Sequence, residues 1–188
     1  VGFRMHDTMI WHKDGSPSPQ SNRYLQTHEF MFILSKGTPK SANLIRQKVK
    51  SFAGKSASFR SDGAKLSGFN YGNADGLRVA DNVWYVPVGW MKTTADVTAY
   101  AHPAMFPEEL AERHIKTWSN EGDTVLDYFM GSGTTAKMAR NNKRRFIGCD
   151  ISLDYVLIAR DRLRLPFEKR HTPVNDDVSD LPMFAASA

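Results

Sequence analysis

Val125-Leu126-Asp127-Tyr128-Phe129-Met130-Gly131-Ser132-Gly133-Thr134-Thr135 is the stretch on which the reading of this chain turns. Thr124 to Phe129 has the β-branched and aromatic density of a strand, Met130 to Thr134 is a glycine turn, and Thr135 to Asn141 opens a helix. Downstream, Arg145-Phe146-Ile147-Gly148-Cys149-Asp150 predicts a second strand. Leu153 to Leu165 predicts a second helix, with Tyr155, Ile158, Ala159, Arg162 and Leu163 at helical spacing. Upstream, Pro107 in a first turn, Glu108 and Glu109 at the positive end and Leu110, Ala111, Ile115 and Trp118 on one face predict another helix. Helix-strand-helix-strand-helix is a parallel α/β unit. Both strand ends then open on one edge, so Asp127, the glycine turn and Asp150, nineteen residues after Gly131, line one crevice.

Glycines let backbone amides approach a ligand with no Cβ in the way, and the following helix presents its positive end. A carboxylate at the second strand end can accept hydrogen bonds from a ribose diol, so a ligand containing adenosine is expected. Gly131, Gly133 and Ala136 also satisfy the dinucleotide fingerprint, which leaves a nicotinamide oxidoreductase as an alternative beside a plain structural strand-helix corner. Asp127 at the mouth of the turn would repel a pyrophosphate and attract an ammonium. With 38 residues after Asp150, the remaining strands are expected from the amino-terminal side.

Residues 7 to 13 and 28 to 35 read as two strands joined by a loop of turn formers, and Val83 to Val88 as a third. The middle segment, residues 38 to 92, which that third strand closes, is rich in Lys, Ser, Gly and Asn and is poor material for a core. Lys36 to Lys92 holds ten basic residues against three acids, while the rest of the chain holds fifteen against seventeen. The positive charge is thus confined to the middle, which suggests a polyanionic partner, with a solvated face as the bland alternative. Trp84 and Trp90 are expected to pack rather than stack on bases, and Cys149 to be a buried spectator. A single cysteine excludes an internal disulfide, the six histidines are too scattered for a metal site, and residues 166 to 188 read as a loose polar tail. No run of about 18 apolar residues occurs, so a soluble, cytoplasmic protein without membrane contact is expected.

Asp127-Tyr-Phe-Met-Gly-Ser-Gly-Thr-Thr resembles the Asp-Pro-Phe-x-Gly-Ser-Gly-Thr-Thr cofactor motif of the amino-group DNA methyltransferases, with Tyr128 in place of the proline. His102-Pro103-Ala104-Met105-Phe106-Pro107-Glu108-Glu109-Leu110 is similar to the His-Pro-x-x-x-Pro-x-x-Leu segment of their circularly permuted β group. Phe146 to Ile151 resembles the ribose-binding strand, and Trp11 to Lys13 with His28 to Gly37 resembles the strand pair after the catalytic half.

The resemblance implies a Rossmann-like S-adenosylmethionine-dependent methyltransferase fold. It would be circularly permuted, truncated at the amino terminus, and interrupted by an irregular target-recognition region. Its parts would be a strand pair at 1–37, the recognition region at 38–92, the cofactor-binding unit at 93–165 and the tail. Asp127, Phe129, Gly131, Ser132, Gly133 and Thr134 would hold the methionine part of the cofactor, His102 and Phe106 would border it, and Asp150 would take the ribose. Lys13, Arg23, Lys48, Lys50, Lys55, Arg60 and Lys65 are the candidate contacts to double-stranded DNA, and a cognate restriction endonuclease is a candidate partner. The family's Asp/Asn/Ser-Pro-Pro-Tyr/Phe/Trp tetrad has no counterpart in these 188 residues, which contain no Pro-Pro, so no catalytic residue is assigned. A DNA-binding remnant without activity, or a methyltransferase for RNA or small molecules, is the further alternative.

Overall fold

The structure, a computed structural model, describes residues 2–14, 21–48, 77–164 and the backbone of 183–186. It divides into two compact units, one of residues 1–43 and 82–188 and the other of residues 44–81. Residues 38–43 and 82–92, read from sequence with the middle segment, therefore belong to the larger unit. In the smaller unit, β3 (Arg46–Lys48) and β4 (Leu77–Val79) pair as an antiparallel ladder.

In the larger unit, β1 (Arg4–His12) pairs antiparallel with β2 (His28–Ser35) and parallel with β5 (Val83–Tyr85), giving the order β2-β1-β5. β5 stops short of the expected Val88. Val86 still donates its N–H to the His12 carbonyl and accepts from the Trp11 indole, and then Pro87 has no N–H to continue. One face of this sheet buries Met9, Trp11 and Trp84. His114 of α1 (Glu108–Trp118) packs on it, 3.1 Å from the Met31 sulfur and 4.9 Å from the Trp84 ring. Phe30, Phe32, Val83 and Tyr85 alternate onto the other face and are exposed. Trp84 packs as expected, whereas Trp90 is exposed and lies 4.3 Å from the Tyr100 ring.

The second sheet runs β6 (Thr124–Asp127), β7 (Arg145–Cys149) and β8 (Met183–Ala186). The first pair is parallel and the second antiparallel. The carboxyl-terminal segment, expected to be loose, thus contributes a strand that occupies the free edge of β7. α2 (Thr134–Asn141) connects β6 to β7, and α3 (Leu153–Arg162) follows β7. The core joins Ala111 and Ile115 of α1 to Ala136, Met138 and Ala139 of α2, Phe146 of β7 and Leu163. Helix α1 therefore serves both sheets, its Ala111 and Ile115 side facing α2 and its His114 facing β2. Cys149 is half-buried and unpaired.

Burial pushes the His114 imidazole below its ordinary 6.5, so the folded chain favours the neutral ring. That contribution is full above pH 6.5 and is lost as pH falls through 6.5 toward the folded value, because the unfolded chain then binds the extra proton. Urea midpoints at pH 7.5 and pH 5.5 should therefore differ less in His114→Gln than in the parent chain. Equal differences would contradict this.

Candidate functional site

β6 ends where Asp127 turns its own carboxylate back on the chain. Its Oδ1 accepts the Phe129 N–H at 3.1 Å, an Asx-type turn that breaks the strand two residues before the expected Phe129. The turn is then stitched to the end of β7. Met130 donates its N–H to the Cys149 carbonyl at 3.0 Å, and Gly131 donates its N–H to Asp150 Oδ2 at 2.9 Å. Asp150 Oδ1 accepts the Ser152 N–H at 2.9 Å, and Ser152 caps α3. Asp127, the glycine turn and Asp150 are thus brought to one edge, as parallel pairing of β6 with β7 requires.

Gly131 and Gly133 have positive φ, 49° and 79°, in the left-handed region that side chains rarely adopt. Space demands glycine as well: a Cβ on Gly131 would stand 2.8 Å from His102 Nε2, and one on Gly133 would stand 2.7 Å from the Ala159 Cβ. His102 therefore lies over the turn, where it also meets the Tyr155 ring edge-on at 4.3 Å. Tyr155 was not a candidate from sequence, although its place one turn into α3 after Asp150 was readable.

The other candidates divide. Phe129 stands 89% exposed beside the edge. Ile151, missed by sequence reasoning, is 87% exposed immediately after Asp150. An apolar residue in a loop gives no periodic signal, yet two bare apolar side chains flanking two acids make an amphipathic rim. Ser132 and Thr134 are buried, and their hydroxyls accept hydrogen bonds from Arg162 behind the turn, at 3.1 and 3.3 Å. Phe106, expected beside the ligand, packs against the core of α1, α2 and β7.

Of the basic candidates, Lys13 pairs with Glu29 and lies 5.0 Å over the Trp11 ring. Arg23 lies in the loop between β1 and β2, and Lys48 ends β3 in the smaller unit. Lys50, Lys55, Arg60 and Lys65 lie outside the described residues. A polar cleft lined by Asn43, Lys116, Asn120 and Arg144 opens at the opposite edge, before β6 and β7. Two of its polar groups are already committed, Asn43 to the Lys116 and Ser119 carbonyls and Arg144 to Ser119 and Asn142. Chemistry is better served at the Asp127–Asp150 edge, where exposed apolar side chains stand beside two half-buried carboxylates. Among the described residues no cluster of His, Cys, Asp or Glu could hold a metal ion, and no helix is long and apolar enough to cross a membrane.

Residues 1–161 match the family model described as N6/N4 DNA methylase. The orphan methyltransferase M.BamHII of Bacillus amyloliquefaciens is 49% identical over 169 residues, which cover 87% of this chain and 64% of that protein. The type II methyltransferase M.BglI of Bacillus subtilis is 30% identical over 176 residues, 91% of this chain and 42% of that protein. Among solved structures, the complex of M1.HpyAVI with S-adenosylmethionine is 28% identical with a TM-score of 0.55, covering 87% of this chain and 64% of that one. The cytosine-N4-specific PvuII DNA methyltransferase shares the fold at 20% identity and a TM-score of 0.61, covering 92% of this chain and 54% of that one. The chain spans 64% of the length of M.BamHII and less of M.BglI.

Replacing Gly133 by Ala adds both left-handed strain, about 1–2 kcal/mol, and a clash with Ala159. Chemical denaturation should show Gly133→Ala destabilised by about 2 kcal/mol or more. In an Ala159→Gly background, where the clashing methyl is gone, Gly133→Ala should cost less than in the parent chain, and an equal cost in both backgrounds would mean that the helix does not press on the turn.

Proposed function

The chain belongs to the N6/N4 DNA methylase family, and on that premise we propose that it provides the S-adenosylmethionine-binding half of a site-specific DNA methyltransferase. The methylated atom would be an exocyclic amino nitrogen, adenine N6 or cytosine N4. One observation carries the reading: Asp127, the positive-φ glycine turn and Asp150 meet at a single strand edge with exposed apolar side chains beside them. The name of M.BglI as a type II methyltransferase and the S-adenosylmethionine complex of M1.HpyAVI support it.

The donor set fits an adenosyl amino acid. The Asp127 carboxylate draws a ligand ammonium to the mouth of the turn. Each oxygen of Asp150 accepts one backbone N–H and keeps a second lone pair for a ribose hydroxyl. Phe129, beside Asp127, supplies apolar surface for the methionine part, and Ile151, beside Asp150, supplies it for the adenosine. Bound S-adenosylmethionine would supply a methyl group on a positively charged sulfur. The base must leave the helical stack to reach it, and holding both partners in place supplies much of the rate.

In this reading the order of segments is the circularly permuted one, and the residues that receive the base lie outside these 188. Within the 38–92 segment, residues 44–81, the smaller unit, form the target-recognition region, with Lys48, Lys50, Lys55, Arg60 and Lys65 on the phosphates and Lys13 and Arg23 near the flipped base. Double-stranded DNA in a bacterial or phage-infected cytoplasm is the substrate, and a cognate restriction endonuclease is the partner this role would serve.

Calorimetric titration with S-adenosylmethionine and with NAD decides the ligand. The former should bind, and Asp150→Ala should weaken it about tenfold or more, since hydrogen bonds to a charged group contribute about 1.5–3 kcal/mol. Preference for NAD would overturn the assignment. Binding to duplex DNA should fall with salt at a log–log slope of about −0.9 per phosphate neutralised. A flat salt response would remove the basic segment from the interface.

A further inference from the structure

Arg162, the last residue of α3, keeps a permanent charge on a side chain with 0% exposure. Its guanidinium is bonded in two directions. Away from the site, Nε donates to Asp96 Oδ2 at 2.9 Å, and Nη2 donates to Glu108 Oε1 at 2.8 Å and to Thr94 Oγ1 at 3.4 Å. Toward the site, Nη1 donates to the Ser132 carbonyl at 2.6 Å, to Ser132 Oγ at 3.1 Å and to Thr134 Oγ1 at 3.3 Å. Three oxygens of the glycine turn are thus tied from behind to one planar fork.

Lys137 is the internal control. Its Nζ bonds the same two carboxylate oxygens, Asp96 Oδ2 at 2.7 Å and Glu108 Oε1 at 2.8 Å. Of these two cations, Arg162 also grips the turn. Burial pushes the Asp96 carboxyl up, but the hydrogen bonds from Lys137 and Arg162 outweigh it and hold the group below the usual carboxylate range. The acid that steadies the guanidinium is therefore charged at neutral pH. Ser132 and Thr134 have their hydroxyls engaged by this fork, so their part in the motif is to be anchored.

We propose that Arg162 is a positioning residue for the methyl donor. By holding the Ser132 carbonyl and the Ser132 and Thr134 hydroxyls inward, it sets the conformation in which the Gly131 to Thr134 turn meets the ligand. The proposal rests on the reading of this turn as the S-adenosylmethionine site. A lysine cannot replace the fork, because one ammonium cannot span two acids on one side and three oxygens on the other.

The test compares Arg162→Lys with Lys137→Met by calorimetric titration with S-adenosylmethionine, each corrected for its folded fraction from urea denaturation. Arg162→Lys should weaken binding about tenfold and speed hydrogen exchange in residues 130–134. Lys137→Met should lower stability and leave affinity within about twofold. Equal weakening by both variants, or Arg162→Lys binding within twofold of the parent chain, would overturn the proposal and leave the functional reading intact. A parent chain that binds no S-adenosylmethionine would sink both. If Arg162→Lys does not fold, Asp96→Asn takes its place: about threefold weaker binding supports the proposal, and unchanged affinity refutes it.

Discussion

Helix α3 can lie against the glycine turn because Gly133 leaves room where the Ala159 methyl packs. Much of the site follows from that approach. Tyr155, one turn earlier on the same helix, meets His102, and His102 in turn lies over Gly131. Arg162, three residues beyond Ala159, reaches Ser132 and Thr134 from behind. At the start of the helix, Asp150 and Ser152 close the junction with β7, so the carboxylate at the end of that strand also secures the turn through the Gly131 N–H. Two positions without side chains therefore let three residues of one helix and one loop histidine converge on a four-residue turn.

The cost of that convergence is electrostatic. An arginine removed from water loses its hydration, a penalty of several kcal/mol that close acids and good geometry must offset. Asp96 and Glu108 supply the opposite charge, and Lys137 balances the second acid, so the four ions form a compensated cluster in place of one stranded charge. Its members come from the loop after β5, the first turn of α1, the middle of α2 and the end of α3. Removing one acid leaves two cations sharing the other, which is why such a cluster ties helix positions together more firmly than any single pair at the surface.

Helix α1 illustrates how one element can organise two sheets. Its Ala111 and Ile115 join the core under β7, while His114 packs on Met31 and Trp84 of the other sheet. The β2-β1-β5 sheet consequently has one covered face, and Phe30, Phe32, Val83 and Tyr85 stand exposed on the other.

Local chemistry was enough to read the strand pair β1 and β2, the helix-strand-helix-strand-helix order, and the meeting of Asp127 with Asp150. The last follows from connectivity, since parallel strands joined by a helix must open their ends on one edge. Strand β5 was read three residues too long because the obstacle, Pro87, acts by lacking a hydrogen-bond donor and leaves the apolar pattern intact. The inward set of Ser132 and Thr134, the withdrawal of Phe106 into the core and the pairing of Met183–Ala186 with β7 were decided by contacts between segments far apart in the chain. Arg162 is the clearest case: spacing put it on the helical stripe that α3 buries. That it would be a buried ion gripping the turn depended on where Asp96, Glu108 and Ser132 stand in space. Periodicity records which face of an element is covered, and it carries no record of what covers it.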